Sequence, residues 1–463
     1  MGFYKDINKN LAFLREYMAR ASDCKLRRIY SGNTECAVVF TETTVSQQLL
    51  EQNVIARLMH TAVRDKDLDR VRRSATSAGQ IAVLSSLDQA PAELAGGMTL
   101  LFVDGVAGCL SVDVRKLPSR SVEEPAIDKT ILGARDGFTE SVGENLGLIR
   151  KRIRSQMLGV RTVFAGSGKT KCYLLWMDDD MLPLVDKLTK TIEKLDGGLC
   201  LTVRDILPAV SPRSVFPTQK LTERPDTVCS LLPKGRVVLL MDGQPVAVCF
   251  PTTLWELFES PNDASIASTL ARAMTLLRFI GALLCITLPG LYVALLNYNR
   301  ALLPPEVTAL VIEAESKIAL SLLPEVLITW VLVALIFQVG VALPSTVGGT
   351  IGIFGSIVLG QALVTAGVAS ELTLLVVITS SVSGYSVPNY PLNIALRHVS
   401  LIVLLFSAAL GLIGTGLALV ALFARLLALT SASYPYLPIR AKRGCVTADE
   451  LALKMSKRTG SRR

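Results

Sequence analysis

The sequence predicts a two-lobed cytosolic α/β domain followed by an all-α polytopic membrane domain, and three observations carry that prediction. Between residues 318 and 424 the only formally charged side chains are Glu325, Glu371 and Arg397. A water-soluble domain needs charge over its outer surface, so a stretch this long without it is written for lipid. A run of ~20 apolar residues crosses a bilayer core, and the block from 279 to 424 holds several such runs. The polar half in front of it repeats one series twice: a strand, a helix, and a hairpin closing on Asp-Gly.

The chain has 463 residues and a net charge of +9. We divide it into lobe one at 1–120, an interlobe helix with lobe two at 121–270, a transmembrane domain at 271–425 and a basic cytosolic tail at 426–463. A basic balance suits either nucleic acid or an anionic membrane surface. No nucleic-acid-binding motif accompanies it, and basic flanks hold spans in one orientation, so anionic lipid is the expected partner and nucleic acid is not. Nine cysteines are scattered without ligand spacing, most of them in strand-like apolar runs, which reads as reduced core thiols. With only two histidines, His60 and His398, a histidine metal site or a Ser-His-Asp triad has little to build on. No metal, cofactor or enzymatic activity is expected. The first thirty residues are charged throughout and lack the apolar core of a signal peptide, so the N-terminus is expected in the cytoplasm.

In chain order, apolar residues three to four apart predict a helix over 5–20. Lobe one follows with a strand at 36–40, a helix at 47–61 and a hairpin turning at Asp104-Gly105. Lobe two repeats this with a strand at 172–177, a helix at 181–195 and a hairpin turning at Asp242-Gly243. The strands and the turns are offset by nearly the same distance, which favours duplication. Between the lobes, 139–154 predicts a helix capped by Thr139, with Arg150, Lys151, Arg152 and Arg154 at its C-terminal end, where cations suit the helix dipole. It is either a solvated basic helix or an interlobe or intersubunit one whose arginines meet carboxylates or headgroups. A short helix at 255–259 and another at 264–277 lead to the membrane.

Five apolar segments are predicted, at 279–296, 323–342, 350–366, 372–387 and 399–424, with an interfacial helix at 302–320. Both chain ends are basic, which places both in the cytoplasm and requires an even number of crossings. One of the five is therefore expected to be re-entrant or broken, giving four to five spans. The break is placed at Leu-Pro-Ser-Thr-Val-Gly-Gly-Thr-Ile-Gly, residues 343–352, where proline and glycine weaken a helix.

Several motifs invite chemistry. Gly-Ser-Gly-Lys-Thr at 166–170 resembles the end of a phosphate-binding loop, but the required first glycine is Val163, and the loop precedes a strand. A tight basic turn is expected instead. Asp178, Asp179 and Asp180 read as an acidic helix start, and Asp104 and Asp242 as turn formers. Glu325 is the membrane candidate, since an ionisable group in lipid is functional by default, set against an interfacial position beside Pro324. Gln361 is expected to bond a neighbouring helix.

From Glu123-Glu124-Pro125 onward the chain resembles the A subunits of bacterial spore germinant receptors. The signature runs through Arg135, Asp136, Gly137 and Phe138 within GARDGFTE, Asn145, and Arg150, Arg152 and Arg154 within LIRKRIR. It continues at Thr222, Glu223, Arg224, Pro225 and Asp226, then at Gly235-Arg236, Ser260-Pro261, Pro324-Glu325 and TIGIFGSIVLGQALVTAGVAS at 350–370. The resemblance is collinear over roughly 30–440. DVRKLPSRSVEEP and GARDGF are similar to the stage V sporulation AF branch. Leu132, Asp263-Ala264-Ser265 and ALIFQVGVA at 334–342 depart from the family pattern, the last by lacking ionisable groups. The resemblance implies a homo-oligomer in the inner spore membrane, working with another membrane subunit and releasing cations early in germination. A secondary transporter and a non-conducting scaffold that recruits partners are the competing readings.

Overall fold

The computed structural model describes residues 1–60, 71–72, 80–116, 125, 133–195, 198, 200, 202–210, 214–342 and 345–438. The first lobe begins with α1 (Ile7–Arg20), then the antiparallel pair β1 (Cys24–Ser31) and β2 (Thr34–Thr41). Helix α2 (47–60) follows, with a π-helical stretch at Glu51–Ile55. Next come β3 (Ile81–Val83), α3 (Ala90–Ala95), β4 (Thr99–Val103) and β5 (Cys109–Val112). The sheet order is β1-β2-β4-β5-β3. On one sheet face, Leu50, Val54 and Leu58 of α2 pack on Val38, Leu101 and Leu110. On the other, Ile7, Leu11 and Leu14 of α1 join Leu94 of α3 over Ala37, Leu100 and Phe102. Because both faces are covered, β4 is buried at every position and reads as an unbroken apolar run.

The second lobe repeats this plan. It runs α4 (Val142–Arg152), β6 (Gly159–Ala165), β7 (Thr170–Trp176), α5 (Leu182–Glu193), α6 (Val203–Val210), β8 (Lys220–Thr222), α7 (Pro225–Leu231), β9 (Val237–Met241) and β10 (Ala247–Phe250). Its sheet order, β6-β7-β9-β10-β8, matches the first position by position. The likeness extends to single hydrogen bonds. Asn10 clamps Tyr4, accepting from its N–H at 2.9 Å and donating to its carbonyl at 2.7 Å. Asn145 does the same to Thr139, at 2.7 Å and 2.6 Å. Asp104 accepts from the N–H of Ile7, the first residue of α1, and Asp242 from that of Val142, the first residue of α4. The Asp-Gly turns thus hold helix starts as well as turning hairpins.

One expectation changes here. The basic helix α4 is the counterpart of α1, built into lobe two with Leu146 and Ile149 in its core. Its N-cap is Ser141, which accepts from the Glu144 N–H, while Thr139 is held by Asn145. The Gly166–Lys169 segment is the turn of the β6–β7 hairpin, with Gly166 and Lys169 at positive φ, as a tight turn requires.

The second half is helical. It comprises α8 (Ser268–Tyr298), α9 (Pro305–Glu315), α10 (Leu322–Ala342), α11 (Ser345–Thr365), α12 (Glu371–Gly384) and α13 (Tyr390–Ala428). Helix α8 continues unbroken where a separate helix at 264–277 was expected. Three helices, Ser268–Tyr298, Leu322–Val339 and Tyr390–Ala428, are long and apolar enough to cross a membrane, and Gly355–Thr365 and Glu371–Gly384 are shorter apolar helices.

The break expected at 343–352 falls where α10 ends and α11 begins: residues 343 and 344 are outside the described residues, and the glycine-rich remainder is helical from Ser345 on. The chain also reverses at Gly411, where φ is +63° inside α13. Ser407 Oγ and Thr415 Oγ1 lie 2.7 Å apart, whereas eight residues of unbroken helix would separate them by about 12 Å. Two glycines make room: a Cβ on Gly411 would crowd the Tyr298 ring at 3.1 Å, and one on Gly414 would meet the Phe406 carbonyl oxygen at 2.1 Å. Helix α13 is therefore a hairpin of two legs, 390–410 and 412–428.

Contacts fix the direction of each leg. Gly281 meets Ser386 and Gly290 meets Ser407, so α8 and the first leg of α13 run the same way. Glu325 meets Ser370 and Phe337 meets Tyr385, so α10 and α12 are parallel to each other. Tyr292 bonds Thr373, which sets α12 against α8. Six apolar legs thus run alternately away from the sheets and back. After the last, β11 (Thr430–Ser431) and β12 (Tyr434–Pro435) dock on lobe two. There Ser431 Oγ donates to the Thr218 carbonyl at 2.5 Å and accepts from the Thr252 N–H at 2.9 Å.

Candidate functional site

The polar residues singled out from the sequence form three groups. The first joins the two halves of the signature. Arg224, 1% exposed at the start of α7, forks onto Asp226 and donates to the Ala134 carbonyl at 2.9 Å. The Phe138 N–H donates to the Glu223 carbonyl at 2.7 Å, and the Phe138 ring enters the lobe-two core. Arg152 pairs with Asp136. Burial alone would push the Asp136 carboxyl up, but the hydrogen bond and charge of Arg152 hold it below its ordinary value. GARDGF and TERPD, about ninety residues apart, are thus one structural unit, with Pro225 in the first turn of α7 and Thr222 accepting from the Arg224 N–H. Gly137 and Pro125 are buried, Arg135 and Arg154 are exposed, and Glu124 lies outside the described residues.

The second group ties lobe to lobe. Arg150 is not solvated: its guanidinium and the carboxylate of Asp23, from lobe one, are both fully buried. They form a fork with Nε–Oδ2 at 2.7 Å and Nη2–Oδ1 at 2.6 Å. Burial opposes the charged guanidinium, and the carboxylate more than reverses that, leaving the arginine harder to deprotonate than usual. Arg150 therefore cannot reach another subunit, as an intersubunit helix would require. Nearby, the Ser22 N–H donates to the Val160 carbonyl, and Arg20 pairs with Asp179 of the acidic run. Asp23 carries no sequence signal of its own; it stands 127 residues from its partner.

The third group lies among the helices. At the junction, Arg278 of α8 forks onto Asp263, at 2.5 Å and 2.9 Å, and donates to the Phe258 carbonyl. Asp263 also closes a capping box with Ser260. At the far end, Glu325 is 2% exposed and accepts from the Ser370 N–H at 2.7 Å. That N–H belongs to the N-cap of α12, so the carboxylate sits at the positive end of a helix. Glu325 is thus buried and bonded, holding α10 to α12. Gln361 is exposed on α11, and among the described residues its side chain bonds no neighbouring helix, contrary to expectation. Sequence reasoning passed over Arg397, although the rule that selected Glu325 applies equally. Its guanidinium lies 4.0 Å from the Tyr385 ring centroid and 4.9 Å from that of Phe337, and Nε and Nη2 have no hydrogen-bond partner among the described residues.

No group of metal-binding side chains occurs among the described residues. The arrangement holds parts of the chain together, and none of the three groups sets a nucleophile beside a base.

A family model described as Bacillus/Clostridium GerA spore germination protein matches residues 12–456. Spore germination protein B1 of Bacillus subtilis (strain 168) is 29% identical over 452 residues, covering 95% of this chain and 92% of its own length. The uncharacterized membrane protein YfkQ of the same organism is 28% identical, covering 93% and 85%. Spore germination protein GerQA of Bacillus cereus is 28% identical, covering 93% and 86%. Among solved structures, the N-terminal domain of the A subunit of the Bacillus megaterium spore germinant receptor GerK3 aligns with a TM-score of 0.38 and 22% identity, over 54% of this chain and 96% of that one. The match along nearly the whole chain, through the signature residues just described, shows that it belongs to the GerA family of spore germination proteins.

Proposed function

We propose that this chain is a subunit of a germinant-receptor-like complex, seated multi-pass in the inner membrane of the spore with both termini in the cytoplasm. Residues 1–120 and 121–270 would then be cytosolic lobes, 271–425 the membrane domain and 426–463 a basic tail. The chain assembles with copies of itself and with another membrane subunit, and the assembly conducts or gates cation release during germination. The stage V AF reading rests on the residues at 113–125 and 133–138 alone.

One observation carries this reading. Helix α11 packs against α10 and leaves Ile357, Val358 and Gln361 exposed on its outer face. A lone amide on an apolar face is costly against lipid and is satisfied when another helix or a water-filled path covers it. The test is a planar-bilayer recording of the purified protein, with native mass spectrometry on the same sample. Unitary conductance steps from a multi-chain species support the reading. Silence from every assembled species overturns conduction, and single-chain masses alone overturn the homo-oligomer.

A further inference from the structure

We infer that the hairpin of α13 holds an anionic phospholipid. A groove of about 570 Å³ runs between its two legs, within the ~300–1,000 Å³ of pockets that enclose small ligands. Val399, Val403 and Phe406 line it from the first leg, Ala418 and Leu422 from the second, and Phe216 of lobe two closes one end. Arg425 stands at that same end, exposed, with no carboxylate partner among the described residues.

The charge pattern selects the occupant. From residue 372 to 448 the sequence contains no aspartate or glutamate, while Arg397, Arg425, Arg440, Lys442 and Arg443 lie within that stretch. The groove itself is apolar along the legs and carries the Arg425 cation where they meet the sheet domain. An acyl chain matches the first part and a phosphate the second. The site rests on the membrane placement of the helices and is independent of conduction.

The test uses the full chain in nanodiscs of equal parts phosphatidylglycerol and phosphatidylcholine, with retained lipid counted by native mass spectrometry. Phosphatidylglycerol should be retained preferentially. Arg425→Gln should lower that retention about fivefold, the equivalent of about 1 kcal/mol for one basic contact. Arg425→Lys should restore it, and Ala421→Trp, which fills the groove from an exposed position, should remove both lipids without changing oligomer mass. Equal retention by the parent and Arg425→Gln overturns the proposal. So does loss of oligomer mass in Ala421→Trp with lipid unchanged, which assigns the groove to another chain. Failure of the parent to enter nanodiscs overturns the membrane placement itself.

Discussion

Asp23 and Arg150 form the most deeply buried ion pair among the described residues, and the Thr43 hydroxyl also donates to Asp23 at 2.9 Å. Removing one partner strands the other, so Arg150→Ala should destabilise the protein by ~3–5 kcal/mol, more than Asp23→Asn with Arg150→Met together. Chemical denaturation of the three proteins checks this. Sequence reasoning offered the arginine a carboxylate across the lobes but could not name it, because a residue 127 positions away has no local pattern. Asn145 was legible as part of a signature, but its work as a clamp on Thr139 was not. Asn145→Ala should cost ~1–3 kcal/mol by leaving buried backbone groups unpaired. Asp136 and Asp263 both titrate below their ordinary value of 3.8. For each, burial raises and the arginine lowers the value, with the lowering larger. The unfolded chain then binds more protons, so their contribution is complete above that value and is lost as pH falls through the folded one. Between about pH 5 and about pH 3, the unfolding midpoint of Asp136→Asn should fall less than that of the parent.

At the scale of elements, the strands, the Asp-Gly turns and all five apolar segments were legible from periodicity and charge. The edge strands were not: β3 and β8 are three residues long and carry no period, and β1 and β6, buried irregularly along their length, were passed over. The break expected at 343–352 coincides with the end of α10 and the start of α11, while its glycines at 348, 349 and 352 continue as helix. The reversal at Gly411 was not anticipated. Gly411 is decisive because its backbone is left-handed and Tyr298 covers it. Gly411→Leu should disrupt the hairpin, separating residues 407 and 415. A disulfide between cysteines placed there should form readily in the parent background and poorly in the variant. Gly159 faces a different constraint: a Cβ would enter the Trp176 ring at 2.3 Å. Gly159→Ala should lower stability by about 1–3 kcal/mol, read from thermal unfolding.

For the whole molecule, the duplication seen as a spacing of turns proves to be a repeat of sheet order, helix placement and single hydrogen bonds. Six alternating legs, one more than the sequence offered, return the chain to the sheets from which it left. The thiols follow the lobes: burial pushes Cys24, Cys172 and Cys249 up to about 12 and Cys36 up to about 11. With Cys445, outside the described residues, replaced by serine, the folded protein should resist thiol reagents at neutral pH and become reactive only on unfolding. The docking of β11 and β12 on lobe two has a mechanical meaning. The helical bundle leaves the sheets through Asp263 and Arg278 and rejoins them through Ser431, and between those points Phe216, Leu254 and Leu257 of lobe two pack with Cys285, Val399 and Tyr436. The joint is thus an apolar seam closed at both ends by polar clasps. Parting lobe two from the helices would expose that seam to water, so a displacement of the lobe is passed to the legs it touches.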